Sequence, residues 1–225
     1  MTDFSFCIIT DNSVEACERI VHMAQSILDL NIPNYEILVI GGRGNNFTSD
    51  ISRFNMRKFD FDESIRRAWI TKKKNTIVKK CKYENVVMMH DYFLFHKDWY
   101  VHYNKFFKEN DYDVCCNPIT MINGARDYTD WILWDHPEYR KQSTIPYSDW
   151  DKTKWQYISG GYFLIKKQFM IDNPFNEELV AGDEEDVEWS LRIRQKAKII
   201  CNPDSHVRHS KRHRNMTINA RSRMI

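Results

Sequence analysis

The sequence lacks the marks of several common classes of protein. No apolar run approaches the ~20 residues that a membrane-spanning helix needs, so no transmembrane segment is expected, which leaves room only for peripheral membrane contact. The N-terminal MTDFSFCIIT carries Asp3 and has neither a basic leader nor a long apolar stretch, which argues against a signal peptide. The 6 cysteines, Cys7, Cys17, Cys81, Cys115, Cys116 and Cys201, are scattered and never form CxxC. A disulfide framework or zinc site is therefore not expected, and the thiols read as reduced core residues of a cytoplasmic protein. The 7 glycines include no GxGxxG, which removes the dinucleotide fingerprint. There are no internal repeats and no low-complexity segments. A net charge of only +2 supplies no global field for nucleic acid.

What remains is a chain of 225 residues with 42% hydrophobic and 14% aromatic content, enough for one large folded domain. Phe4–Thr10 is an apolar run suited to a buried strand. Asn12 and Glu15 form a plausible capping box, after which Val14, Cys17, Ile20, Val21, Ala24, Ile27 and Leu28 recur at helical spacing up to Pro33. Glu36–Ile40 is a second apolar strand, closed by Gly41-Gly42-Arg43-Gly44. Strand, helix and strand in succession make a βαβ unit, whose parallel sheet binds ligands beyond the C-terminal ends of its strands.

Farther on, Asp62–Lys82 reads as a helix with a solvated cationic face, a subset of whose lysines could meet a diphosphate. In Glu84–Phe95, ENVVMMHDYFLF, the pair His90-Asp91 interrupts an apolar strand, and a carboxylate there is costly unless it is paired or bound to a metal. Trp99, Tyr103, Phe106 and Phe107 mark an amphipathic helix with core aromatics, and Val114–Cys116 another strand. Residues 127–155 gather Trp131, Trp134, Trp150 and Trp155 with Tyr128, Tyr139 and Tyr147 at poor periodicity. Such a loop suits either stacking on a sugar face or packing onto the core. Tyr157–Ile165 is a strand broken by Gly160-Gly161, where a bulge or close ligand approach is allowed. Lys198–Cys201 is the last strand, and from Val207 onward the chain has no acidic residue but carries Arg208, Lys211, Arg212, Arg214, Arg221 and Arg223 with His209 and His213.

Asp183, Glu184, Glu185 and Asp186 open a helical segment, Asp183–Lys196. A helix N-terminus accommodates only part of that charge, so crowding should raise at least one carboxyl pKa, as a general base requires. Taken alone, the cluster fits a solvated helix start equally well.

The order of these features resembles the GT-A glycosyltransferases, in particular inverting enzymes of family 2 and the β-1,4-galactosyltransferases. The closer match lies in 157–215: Gly160-Gly161, Lys167-Gln168-Phe169, Glu185-Asp186 and Arg208-His209-Ser210. The resemblance implies an α/β fold, a GT-A (Rossmann-like) single domain with a mixed, mainly parallel central sheet flanked by helices. Within it, 1–116 would be the nucleotide-sugar half, 117–203 the acceptor and catalytic half, and 204–225 a basic tail closing over the donor. It further implies Mn²⁺ or Mg²⁺ held by Asp91 and His209, a base at Asp186 with Glu185 beside it, and donor contacts from Thr10, Asp11, Gly41, Lys73, Asn75, His90, Asp91, Gly160 and Gly161. Trp131, Trp134, Asp183 and Glu184 would meet the acceptor. The DxD position here is Met89-His90-Asp91, so the metal site either leans on the donor diphosphate or recruits His90. The implied activity is that of a hexosyltransferase, moving a sugar from a nucleotide sugar, UDP favoured, to a glycan, glycolipid or glycoprotein hydroxyl. Three alternatives are an inactive sugar-binding module, a nucleotidyltransferase on a related fold, and a nucleic-acid-binding protein using the basic tail. The last two leave the acidic helix start unexplained.

Overall fold

The computed structural model describes residues 1–127, 130–137 and 140–211, and of residues 140–142 the backbone alone. A seven-stranded sheet carries the molecule. It is built from β1 (Phe4–Ile9), β2 (Tyr35–Gly41), β3 (Met56–Asp60), β4 (Asn85–His90), β6 (Val114–Cys116), β11 (Tyr162–Lys166) and β12 (Ile199–Cys201), in the order β12-β6-β11-β4-β1-β2-β3. The pairs β1–β2, β1–β4, β2–β3 and β6–β12 are parallel, whereas β11 runs antiparallel to both β4 and β6. The sheet is mixed and mainly parallel, as the resemblance implied.

Its inner strands are mostly apolar because both faces are covered, and buried Ser5 satisfies Glu36 by donating to it at 2.7 Å. Along β1, Phe4, Phe6 and Ile8 face one core while Cys7 and Ile9 face the other. Residues Ile37 and Val39 against Leu38 and Ile40 in β2, and Val87 and Met89 against Val86 and Met88 in β4, repeat the alternation. Helices α1 (Val14–Leu28) and α3 (Trp99–Glu109) supply Ile20, Met23, Ile27, Trp99 and Tyr103 to the first core. Helices α2 (Ile70–Val78), α4 (Lys167–Asp172) and α5 (Glu185–Ile193) supply Ile77, Met170, Trp189 and Ile193 to the second.

Three expectations about elements are corrected. Ser13, not Asn12, caps α1, its side chain accepting from the Ala16 amide, while Asn12 stands at φ 63° and bonds the Arg43 carbonyl at 3.1 Å. The helix expected over Asp62–Lys82 is confined to α2. Before it, Arg66 and the Trp69 indole reach across to the carbonyl of Glu177 at 3.1 and 2.7 Å, a tertiary tie that holds 62–69 as turns. The tryptophan-rich excursion is not irregular: β8 (Ile132–His136) pairs with β9 (Arg140–Thr144) and β10 (Gln156–Tyr157) in a small antiparallel sheet. A third sheet places β13 (Val207–His209) between β5 (Phe93–Phe95) and β7 (Ile119–Thr120). Tyr128, Tyr139, Arg212, His213, Arg214, Arg221 and Arg223 lie outside the described residues. Among those described, no helix is long and apolar enough to cross a membrane, and all six cysteines are free and buried.

Candidate active site

The C-terminal ends of β1 and β4 lie side by side, which brings Thr10 to Asp91. The Thr10 hydroxyl donates to Asp91 Oδ2 at 3.0 Å, and Arg19 from α1 donates to the same oxygen at 3.0 Å and to the Asp91 carbonyl at 3.1 Å. Asp91 is only 5% exposed, so a guanidinium partner offsets the cost of its buried charge. A second cation stands on the other side, Lys211 Nζ lying 3.8 Å from Oδ1 and 4.6 Å over the Tyr92 ring. The Lys211 amide donates to His209 Nδ1 at 3.1 Å, and the His209 ring stacks on Tyr92 with centroids 4.4 Å apart. Position 209 is fixed by β13, whose His209 pairs with Phe93, and by Ser210, whose amide donates to the Tyr92 carbonyl at 2.7 Å. One residue, Lys211, thus links the Asp91 and His209 sides.

Beyond β4 the antiparallel β11 begins beside His90, whose amide donates to the Gly161 carbonyl at 2.9 Å. The preceding Gly160 amide donates to Asp186 Oδ2 at 2.8 Å, and the Tyr157 hydroxyl donates to the same oxygen at 2.6 Å. Glu185, 6% exposed, lies next to it, 3.7 Å from Nζ of the fully buried Lys74. Burial pushes the Glu185 carboxyl above its ordinary value, the Lys74 charge pulls it down, and the Asp186 charge pushes it up again. Crowding of the acidic cluster therefore contributes, but desolvation leads. His90, Tyr92, Tyr157, Gly160, Gly161, Glu185, Asp186 and His209 share one cavity of about 300 Å³. Burial, together with the nearby cations of Lys74, Lys211 and Lys73, pushes His90 down to about 3 and keeps its imidazole neutral.

The structure disposes the other sequence-derived candidates unevenly. Asp11 is exposed, its carboxylate accepting from the Ser13 amide at 2.9 Å. At Gly41 the backbone packs closely on the first strand end, since a Cβ there would come within 2.6 Å of Thr10 Cγ2. Lys73 turns under the first strand, donating to the Thr10 carbonyl at 2.9 Å and pairing with Glu63. Asn75 faces away, bonded to the Phe175 carbonyl at 2.9 Å and to Glu177 at 3.0 Å, because α2 needs a polar tie to that loop. The solvated-face reading of the lysines fails for Lys73 and Lys74, both buried, while Lys72 pairs with Glu177 at 2.6 Å. Trp131 is fully buried in the second core and cannot reach an acceptor there. Trp134 is half-buried and packs on Tyr157, one side chain away from Asp186. Asp183 and Glu184 are exposed ahead of α5. Asp183 accepts from the Val180 amide at 3.0 Å, and Glu184 takes φ 56°.

Sequence reasoning missed Arg19 and Tyr157, and it read Lys74 only as one of a run of lysines that could meet a diphosphate. Arg19 sits in an ordinary amphipathic helix and Lys74 in a charge run, so only tertiary position separates them from their neighbours. As for a metal, no three His, Cys, Asp or Glu side chains cluster among the described residues. Asp91 and His209 offer a hard oxygen and an imidazole, which suits Mn²⁺ or Mg²⁺ only where phosphates and water complete the shell. The placement of the Lys211 ammonium beside Asp91 marks that position as one that favours a cation.

No protein-family model matches the sequence, and no curated protein does. Solved structures match the fold. S. aureus TarS in complex with UDP-GlcNAc is 15% identical, with a TM-score of 0.66 over 98% of this chain and 61% of that one. GalNAc-T7 with UDP, GalNAc and Mn²⁺ is 17% identical, with a TM-score of 0.67 over 94% of this chain and 44% of that one. The present chain spans less than two thirds of the length of either. On the sheet order, the crevice at the strand ends and these matches, the chain has the GT-A glycosyltransferase fold.

Proposed function

We propose that this protein is an inverting, metal-dependent glycosyltransferase, moving a hexose from a nucleoside-diphosphate sugar, UDP favoured, to a hydroxyl of a glycan, glycolipid or glycoprotein. The observation that carries the reading is the single cavity into which Asp186, Glu185 and His209 converge beside Asp91. UDP-GlcNAc in TarS, and UDP with Mn²⁺ in GalNAc-T7, support the donor and ion classes. The six unpaired thiols support a cytoplasmic location. In this reading the chain is one domain, and residues 204–225 are the basic tail that closes over the donor.

In this mechanism Thr10 and Asp11 hold the nucleoside at the ends of the first strands. Asp186, oriented by Tyr157 and the Gly160 amide, accepts the proton of the acceptor hydroxyl. That oxygen forms a bond to the anomeric carbon while the carbon–oxygen bond to the diphosphate breaks on the opposite face, which inverts the configuration in one displacement. Arg19 and Lys211 supply positive charge near the departing diphosphate. A divalent ion at Asp91 and His209 would neutralise further phosphate charge.

The test is transfer and donor hydrolysis over a panel of nucleotide sugars with Mn²⁺ and with EDTA. Release of one diphosphate, lost with EDTA and in Asp91→Ala, is expected, and the absence of turnover or binding for every donor would overturn the reading. Asp186→Asn should bind donor normally and lose transfer. An active Asp186→Asn would move the base elsewhere.

A further inference from the structure

Lys74 lies on α2 with its side chain wholly inside the protein. Its Nζ makes no hydrogen bond among the described residues, has Glu185 Oε1 at 3.7 Å and lies 4.6 Å from the Phe175 ring centroid. A buried cation with one loose carboxylate partner is a poor way to stabilise a core, and an apolar residue of like volume is commonly as stable or more so. The surroundings of that ammonium show what else it does. A Cβ on Gly160 would stand 2.9 Å from Lys74 Nζ, 3.1 Å from Glu185 Oε1 and 3.0 Å from Asp186 Cβ. The Gly160 turn is thus wedged between the lysine and the carboxylate pair, and its own amide holds Asp186.

We infer that Lys74 is a positioning residue for Asp186, balancing the Glu185 charge beneath the Gly160 turn so that the Asp186 carboxylate stays turned into the cavity. The inference rests on the assignment of Asp186 as base. Charge logic agrees with the geometry. Burial drives the Lys74 ammonium down from its ordinary value while Glu185 and Asp186 hold it up. The groups facing Asp186 are Tyr157 from β10, Glu185 from α5 and Lys74 from α2, with His90 and His209 on the same cavity.

The experiment is the pH profile of kcat at saturating donor and acceptor for the wild type, Lys74→Met, Glu185→Gln and Lys74→Met/Glu185→Gln. Loss of the cation alone should move the acidic limb up, with donor KM little changed. Loss of Glu185 alone leaves the cation unopposed and should move the limb down. The double variant, which removes both charges, should return it toward the wild type. If Lys74→Met fails to fold, Glu185→Gln against the double variant still isolates the lysine. Coincident limbs in those two, or an unmoved limb in a folded Lys74→Met, overturn the inference. Asp186→Asn, run in parallel, separates the two failures. If that variant is active, the base assignment falls; if it is inactive while the limbs coincide, only the role of Lys74 falls.

Discussion

The Tyr157 hydroxyl sits 2.6 Å from Asp186 Oδ2 and shares that oxygen with one backbone amide. A hydrogen bond to a charged group contributes about 1.5–3 kcal/mol. Tyr157→Phe should therefore lower kcat by roughly 10- to 100-fold while donor KM stays near the wild-type value, read by steady-state kinetics at saturating acceptor. A rise in donor KM with kcat intact would instead assign the tyrosine to the donor site. The two glycines of the neighbouring turn should differ. A methyl at Gly160 meets Asp186 Cβ at 3.0 Å, an atom held by the α5 backbone, whereas one at Gly161 meets the movable Tyr92 hydroxyl at 3.2 Å. Gly160→Ala is expected to cost about 1–3 kcal/mol and most of the transfer activity, and Gly161→Ala clearly less of both; paired thermal melts and assays decide. Part of this geometry was legible one residue at a time. Asp91 stood out because an acid in an apolar strand is costly, and the crowded helix start drew attention to Asp183–Asp186 as a group, within which only the resemblance singled out Asp186. Trp131 and Trp134 were indistinguishable in sequence, because an indole suits a core and a sugar face equally, and only the fold buries one and leaves the other partly open.

At the scale of elements, local chemistry decides what periodicity can reveal. Helix α1 was legible because its apolar stripe is long and its end is capped locally. Its cap still fell one residue away from expectation, since Asn12 is drawn to the Arg43 carbonyl and leaves the amide of Ala16 to the Ser13 side chain. Ser13→Ala should lower stability by ~1 kcal/mol, whereas Asn12→Ala should leave the helix cap intact and loosen the Gly42–Gly44 turn; urea melts with helix-sensitive circular dichroism distinguish them. Helix α2 was overextended in the sequence reading for the opposite reason. Its charge run continues a helical pattern back to Asp62, but Arg66 and Trp69 are claimed by the Glu177 carbonyl 108 or more positions away. Such contacts leave no periodic trace. The β8–β9–β10 sheet escaped notice likewise, because β8 mixes apolar and charged residues without alternation and β9 is polar throughout.

On the scale of the whole molecule, the site depends on a segment from the far end of the chain. The sheet order places β4 beside β1, so Asp91 meets Thr10 by topology alone, yet the opposite wall is closed by residues after Asp204. The Ser205 hydroxyl donates to the Trp99 carbonyl at 3.0 Å, Val207 is buried in the first core, and β13 is the central strand of its three-stranded sheet. Full burial of one valine contributes about 1.5–3 kcal/mol and a neutral hydrogen bond about 1. A chain ending at Asp204 should therefore lose at least ~3 kcal/mol, or roughly 6–12 °C in melting temperature for a protein of this size. It should also lose donor binding, since His209 and the Lys211 cation go with it. A chain ending at Lys211 retains every one of these contacts and should melt cooperatively and bind donor. Calorimetry of both truncations, with titration of UDP and Mn²⁺ by isothermal methods, reads the two effects separately. Donor binding by the chain ending at Asp204 would show that the strand-end crevice alone makes the site and that the C-terminal segment does not belong to it.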